Sequence, residues 1–132
     1  MKHRNFYSKV LFSIAGLVLV AGVGCDKKES APKPDPEAMA KADTLFKTRC
    51  ASCHGPEGRG NGPAAANLNP KPRDFHDQTW QASATDEGIE KTITYGGAAV
   101  GKSPVMVANP DLQAQPEVVA ALRYHIRQLG KE

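Results

Sequence analysis

Cys50, Cys53 and His54 stand together in one pentapeptide, Cys50-Ala51-Ser52-Cys53-His54. Two thiols at this spacing can each form a thioether to a vinyl group of one porphyrin, and the adjacent imidazole then lies beneath the iron. CxxCH is accordingly the attachment motif of haem c. The pentapeptide therefore predicts one covalently bound haem, held by Cys50 and Cys53, with His54 as an axial ligand of its iron.

Three other interpretations of the two cysteines stay open at this point. A thioredoxin-like redox pair needs a βαβ context, and no such pattern surrounds the pentapeptide. A zinc site would need two ligands among His54, His76 and His125, yet the chain has no second close ligand pair. A structural disulfide is geometrically awkward between cysteines at this spacing. Covalent haem is the favoured interpretation.

Three helices are predicted around this motif. The first has Asp35 as a cap and Pro36 in its first turn, and it runs to Cys50. The second is predicted over 85–96 and the third over 116–130, each with a stop at glycine. Their apolar positions are Met39, Ala42 and Phe46, then Ile89 and Ile93, then Val119, Leu122, Ile126 and Leu129. Because no alternating strand pattern lies between them, the chain is predicted to be all-α.

Length and charge limit the classes of function. The 132 residues allow one small domain. The chain has 17 basic and 14 acidic residues, a formal net charge of +3. Lys2, Arg4 and Lys9 precede every acidic residue, so the charges balance from residue 25 onward. A neutral body excludes nucleic acid as an expected partner, because such binding requires a basic surface.

Residues 1–24 are predicted to be an export signal. A basic head precedes Val10–Val23, fourteen uncharged and mainly apolar residues, whereas a bilayer-spanning helix needs about 20. The run ends at Gly24-Cys25, which resembles the lipobox of bacterial lipoproteins. Cys25 is then the first mature residue and the lipid carrier. A plain cleaved signal and an uncleaved anchor helix are the alternatives.

Residues 25–36 are predicted to be a lipid-anchored tether. The stretch DKKESAPKPDP after Cys25 is charged, rich in proline and nearly free of apolar side chains. It cannot bury enough surface to offset the entropy of ordering it. The working domain is then predicted to be 37–132.

The domain as a whole resembles a class I bacterial cytochrome c. The segments that carry the resemblance are CASCHGPEGRGNGPAAANLNPKPRDF, DEGIEKTITYGG followed by GKSPVM, and EVVAALRYHIRQL. They cover nearly all of 37–132. The resemblance implies a cytochrome c-like fold, with a few helices wrapped around one covalent haem, and a methionine as the second axial ligand.

Met106 stands at the family's place for that methionine, just before the final helix. Met39 lies on the first helix, where it is predicted to fill space in the core. His76 and His125 are the other candidate ligands. His76 is more simply a solvated side chain in a polar loop, and His125 a packed core histidine.

The resemblance also implies residues that support the two ligands. The Pro63 carbonyl is expected to accept the second N–H of His54, with Pro70 as the alternative. Asn109 is expected to hydrogen-bond the sulfur of Met106.

Further residues are expected around the haem itself. Arg73 and Trp80 are expected to bind the haem propionates, although a solvated charge and ordinary packing, respectively, are equally simple interpretations. The side chains expected to line the pocket are Leu68, Phe75, Ile93 and Tyr95.

Two functions of different classes follow. The first is periplasmic one-electron transfer through a haem with His54 and Met106 as ligands, either as a carrier or as the haem subunit of a respiratory enzyme. The second is a haem-based sensor or a small peroxidase-like protein, which needs an open or displaceable sixth position. No distal acid–base group is evident, which favours the carrier. The expected partners are membrane-bound redox proteins at the periplasmic face of the bacterial inner membrane.

Overall fold

The computed structural model describes residues 32–132. Its α-helices are α1 (Pro36–Leu45), α2 (Ala51–His54), α3 (Gln78–Ser83), α4 (Asp86–Tyr95) and α5 (Pro116–Leu129). Short 3₁₀ turns lie at Pro63–Ala65, Ala98–Val100 and Pro110–Ala114. This part of the chain contains no strand, which confirms the all-α prediction. The predicted signal (1–24), Cys25 and the tether up to residue 31 lie outside the described residues.

Helix α1 begins where the sequence predicts. The Asp35 carboxylate accepts hydrogen bonds from the backbone N–H groups of Glu37 and Ala38, each at 3.0 Å, and Pro36 has no N–H that would need an acceptor in the first turn. After Leu45 the chain continues as a π-helical turn, Phe46–Cys50. The sequence did not predict this turn. It leads directly into α2, so Cys50 and His54 follow α1 without an intervening loop.

Helix α5 packs across α1 and supplies more of the core than any other helix. Ala42 is 1% exposed at this crossing, and its small side chain permits the close approach of the two helices. The predicted stripe of α5 is buried, together with neighbours that the pattern did not single out. The buried α5 residues are Val118, Val119, Ala121, Leu122, Arg123, Ile126 and Leu129.

Helices α3 and α4 form a corner beside the core. The Thr85 hydroxyl caps α4 at the N–H of Gly88, and Gly96 ends it with a φ of 79°, as predicted. Helix α3 was not predicted, although Asp77 caps it by accepting from Thr79 and Trp80. No helix within residues 32–132 is long and apolar enough to cross a membrane.

Candidate functional site

His54 is the last residue of α2, and its ring is held on two sides. Its Nδ1 lies 3.1 Å from the Arg73 carbonyl oxygen, so Nδ1–H donates there and Nε2 keeps its lone pair. The Phe75 ring stacks on the imidazole, with centroids 4.6 Å apart and planes 15° apart. Burial lowers the pKa of His54 below its ordinary value, while the bond to the Arg73 carbonyl raises it. The burial effect favours the neutral ring that a metal requires.

The carbonyl beside His54 corrects the expectation for Pro63. Pro63 is exposed, and its loop serves α2 through backbone amides instead. Gly60 donates to the His54 carbonyl at 2.7 Å, and Gly62 donates to the Cys53 carbonyl at 3.1 Å. A Cβ at Gly62 would collide with the carbonyl oxygens of α2. The loop lies close enough to α2 for its N–H groups to cap the last carbonyls of that helix. The acceptor for the imidazole comes from a later segment, at Arg73.

Cys50 and Cys53 are free, half-buried thiols. Burial raises the pKa of Cys50, opposed by the Arg49 charge and assisted by Cys53. The two thiols are not bonded to each other, and His76 and His125 do not join them. Within residues 32–132 no three His, Cys, Asp or Glu side chains are grouped as a metal site. The described residues thus offer no zinc site, which removes that alternative.

One cavity of about 420 Å³ brings several predicted residues together. Cofactor and ligand sites commonly have volumes of about 300–1,000 Å³. His54, Arg73, Trp80 and Met106 all line it. Further lining residues are Phe75, Ser83, Ala84, Thr85, Gly88, Ile89, Thr92, Ile93, Val100, Lys102 and Ile126.

The backbone around Met106 is fixed to the end of α4. The Gly97 N–H donates to the Met106 carbonyl at 2.9 Å, and a side chain at Gly97 would collide with the Ser103 carbonyl. The glycine therefore permits the close approach that this loop makes. Asn109 follows the loop, and its backbone N–H donates to the Thr94 carbonyl at 3.0 Å.

The Asn109 side chain corrects a second expectation. Its Nδ2 donates to the Ile93 carbonyl at 2.8 Å, and its Oδ1 faces Arg49 at 3.4 Å. Among residues 32–132 the side-chain bonds of Asn109 go to Ile93 and Arg49, and none goes to the Met106 sulfur. Asn109 holds the loop to α4, where the last helical carbonyls need donors.

Two of the expected lining residues lie outside the cavity. Leu68 is half-buried in the loop after Ala65 and does not line it. Tyr95 is 52% exposed at the end of α4, because it projects from the face opposite to Ile89 and Ile93. Phe75 and Ile93 do line the cavity, as predicted.

The three other candidate ligands also lie elsewhere. Met39 packs against the core, as predicted. His76 is half-buried, and its Nε2 lies 2.8 Å from the Glu57 carbonyl. The His125 ring packs on Phe46 at a centroid distance of 4.5 Å. Among the described candidates for a second ligand, Met106 is the one that shares a cavity with His54.

The sequence analysis missed Lys102 and the polar residues of α4 in the cavity wall. Lys102 is exposed and is the second cation, after Arg73, that lines the cavity. The Arg73 guanidinium lies 6.0 Å from the centre of the Trp80 ring, within reach of a cation–π interaction. Lys102 stands four residues before Met106 in the sequence, so its charge could have been considered for the site. Nothing in the local sequence distinguishes it from an ordinary solvated lysine.

This donor set fits an iron porphyrin. A neutral imidazole and a thioether line the same cavity, and both are ligands that haem iron accepts. The lining is largely aliphatic and aromatic, and it includes two exposed cations, Arg73 and Lys102, of the kind that bind carboxylates. Of the two thiols of the attachment motif, Cys53 lies in α2 with His54, and Cys50 ends the π-helical turn just before α2.

Comparison with known proteins agrees with this geometry. The family described as cytochrome c matches residues 39–130. The chain belongs to the cytochrome c family. It is also similar to the cbb3-type cytochrome c oxidase subunit CcoP of Rubrivivax gelatinosus, with 39% identity over 74 residues. That match covers 56% of this chain and 21% of the relative, so the chain spans about a fifth of that protein.

Family membership confirms the prediction of covalent haem c at the CxxCH motif, together with the fold. As a cytochrome c, the protein is a c-type haem protein of electron transfer. The redox-pair and disulfide interpretations of Cys50 and Cys53 are thereby set aside.

Proposed function

We propose that this cytochrome c is a one-electron carrier whose haem lies in the 420 Å³ cavity, with His54 and Met106 as axial ligands. The observation that carries the proposal is that these two side chains line one cavity although they are far apart in sequence. His54 presents a neutral ring that is fixed through Nδ1 to Arg73. Met106 is held by the backbone bond to Gly97.

The chain's own residues explain why electron transfer is the expected activity. When bound, the haem iron supplies a centre that gains and loses one electron. A thioether from Met106 favours the reduced iron and so raises the reduction potential. Aliphatic walls from α4 exclude water, and two protein ligands leave no position for a substrate. The Thr85 hydroxyl accepts from the Gly88 N–H and the Thr92 hydroxyl donates to the Gly88 carbonyl, so both take part in hydrogen bonds of α4 itself.

The partner is proposed to be a membrane-bound redox protein. The CcoP relative is, by its name, a subunit of a cbb3-type oxidase. Val105 and Val107 flank Met106 and are 54% and 74% exposed. They offer an apolar docking surface beside the cavity. Since the chain is charge-balanced from residue 25 onward, docking should depend weakly on salt.

The proposed location is the periplasmic face of the bacterial inner membrane, with lipid on Cys25 and residues 26–36 as the tether. Eleven residues reach about 18 Å as a coil. Such a tether keeps the domain near the bilayer and raises its effective concentration for membrane partners.

The test of function uses the exported holoprotein. Potentiometric titration should follow a single one-electron wave, and the reduced protein should not bind carbon monoxide. Met106→Ala should acquire carbon monoxide binding, because its sixth position is open. Stoichiometric binding of carbon monoxide by the wild-type protein would contradict the carrier and support the sensor or peroxidase class.

The test of location compares the wild-type chain with Cys25→Ala. The wild-type haem protein should be found in the membrane fraction, and the variant should appear in the soluble periplasmic fraction. A soluble wild-type protein would indicate a plain cleaved signal. A variant that stays with the membrane would indicate an uncleaved helix or a tightly bound partner.

A further inference from the structure

Arg127 of α5 makes an unusually complete set of hydrogen bonds. Its Nε donates to Asp86 at 2.9 Å, one terminal nitrogen donates to both oxygens of Gln81 at 2.8 Å, and the other donates to the Ala84 carbonyl at 2.6 Å and to Asp86 at 2.8 Å. A guanidinium has five N–H donors, so each of them has a partner. The side chain is 17% exposed. These bonds join α5 to the end of α3 and the start of α4.

One of the three partners of Arg127 lines the cavity, and the other two adjoin residues that line it. Ala84 lines the cavity, as does Thr85 immediately before Asp86. Trp80 and Ile89, on the helices to either side, line it too. The guanidinium thus holds the corner at which α3 ends and α4 begins, and that corner forms one side of the site.

Gln81 extends the same connection to the side of the cavity formed by His54 and Phe75, which we call the His54 side. Its Oε1 accepts from Arg127, while its Nε2 donates to the Phe75 carbonyl at 2.7 Å and the Ile126 carbonyl at 3.0 Å. Phe75 is the residue whose ring stacks on His54 at 4.6 Å. One guanidinium is therefore linked, through one amide, to the backbone that positions the ring against His54.

We propose that Arg127 is a positioning residue, which fixes the α3–α4 wall against the His54 side and so sets how far water reaches the haem. The proposal rests on the haem site proposed above. Exposure of the haem stabilises the more highly charged oxidised iron, so a looser wall lowers the reduction potential.

Arg123 provides a matched comparison on the same helix. It donates to Asp86 at 2.9 Å and to Glu90 at 2.8 Å, and its side chain is 10% exposed. Both of its partners lie on α4, and it makes no bond to α3 or to Gln81. Loss of the Arg123 guanidinium should lower the free energy of unfolding without separating the two sides of the cavity.

The experiment compares Arg127→Lys with Arg123→Lys in the exported holoprotein. Lysine keeps the charge but lacks the planar five-donor fork. Both variants should unfold at lower denaturant than the wild type. Arg127→Lys should also have a lower reduction potential and a weaker methionine-to-iron absorption band, whereas Arg123→Lys should keep the wild-type values.

A reduction potential and band that are unchanged in Arg127→Lys, despite reduced stability, would overturn the proposal, because Arg127 would then be merely structural. If Arg127→Lys does not accumulate, Gln81→Met removes the same connection at similar volume, and a wild-type potential there would overturn it equally. A wild-type protein without covalent haem would instead refute the proposed function, so the two failures are distinguishable.

Discussion

The histidine side and the methionine side of the cavity are built differently. His54 follows α1 through continuous helical turns, and its helix end is capped by Gly60 and Gly62 of the next loop. Met106 lies in a loop whose flanking valines are exposed, and it is attached to α4 chiefly through Gly97 and Asn109. His54 thus ends a continuous helical segment and its ring is also held by Arg73 and Phe75, whereas Met106 lies in a loop that a few hydrogen bonds hold to α4. The methionine side should therefore be the one that yields first under perturbation.

The largest effect is expected from removing the attachment chemistry. Cys50→Ala with Cys53→Ala eliminates both thiols and should abolish covalent haem, which intact mass after denaturation measures directly. Cys25→Ala is the matched control, because it removes a cysteine outside the motif and should retain haem mass. A double variant that still carries haem mass would refute the attachment site.

A side chain at Gly62 should damage the histidine side. Gly62→Ala places a Cβ against the carbonyls of Ala51 and Ser52, and overpacking of this kind costs about 1–3 kcal/mol. Gly101→Ala is the control. Its Cβ meets nothing within 4 Å, but its φ is +69°, so it should cost about 1–2 kcal/mol through backbone strain alone. Chemical denaturation of the holoprotein measures both. A Gly62→Ala protein as stable as the wild type would contradict the close approach.

On the methionine side, Asn109→Ala removes one hydrogen bond to the Ile93 carbonyl. The expected loss is about 1 kcal/mol of stability. The change should also loosen Met106, so added imidazole should replace this proposed ligand more easily than in the wild-type protein. Imidazole titration measures this. If Gly62→Ala weakened the methionine ligand as much as Asn109→Ala does, the two sides would not be independent.

The smallest effect concerns His125, which lies outside both sides. Its Nε2 is buried and has no hydrogen-bond partner among residues 32–132. Burial lowers its pKa, Asp43 and Glu132 raise it, and Lys47 lowers it. Below the ordinary histidine pKa of about 6.5, the folded state then binds fewer protons at His125 than the unfolded state. The free energy of unfolding is therefore unaffected by His125 above that pH and decreases as the pH falls below it.

His125→Phe should accordingly flatten the decline of stability between neutral and mildly acidic pH, measured by denaturant unfolding of the holoprotein at several pH values. His76→Gln is the control and should keep the wild-type slope, because His125 is still present. An equally steep decline in His125→Phe would exclude His125 as its source.

Sequence predicted the all-α fold and the covalent haem at the CxxCH motif, where the signals were local. The caps Asp35 and Thr85, the stop at Gly96 and the apolar stripe of α5 all recur in the structure. Helix α3 escaped prediction because it is short and its cap, Asp77, stands alone without a periodic stripe.

The expectations for Pro63 and Asn109 failed for a common reason. Each expectation named one hydrogen-bond partner for His54 or Met106 from among several nearby polar groups. Which group is the partner depends on how segments that are separate in sequence pack together. The Arg73 carbonyl reaches His54, and the Ile93 carbonyl takes the Asn109 amide. The Arg127 network joins three helices, and no local pattern reveals it.

The proton NMR spectrum of the reduced holoprotein tests the central claim, a haem with His54 and Met106 as its ligands, most directly. A methionine bound to low-spin iron lies over the porphyrin ring, whose current shifts its methyl protons far upfield. We expect one such methyl resonance in the wild-type protein and in Met39→Leu, and its loss in Met106→Leu. A spectrum without the resonance, or one that retains it in Met106→Leu, would contradict the account.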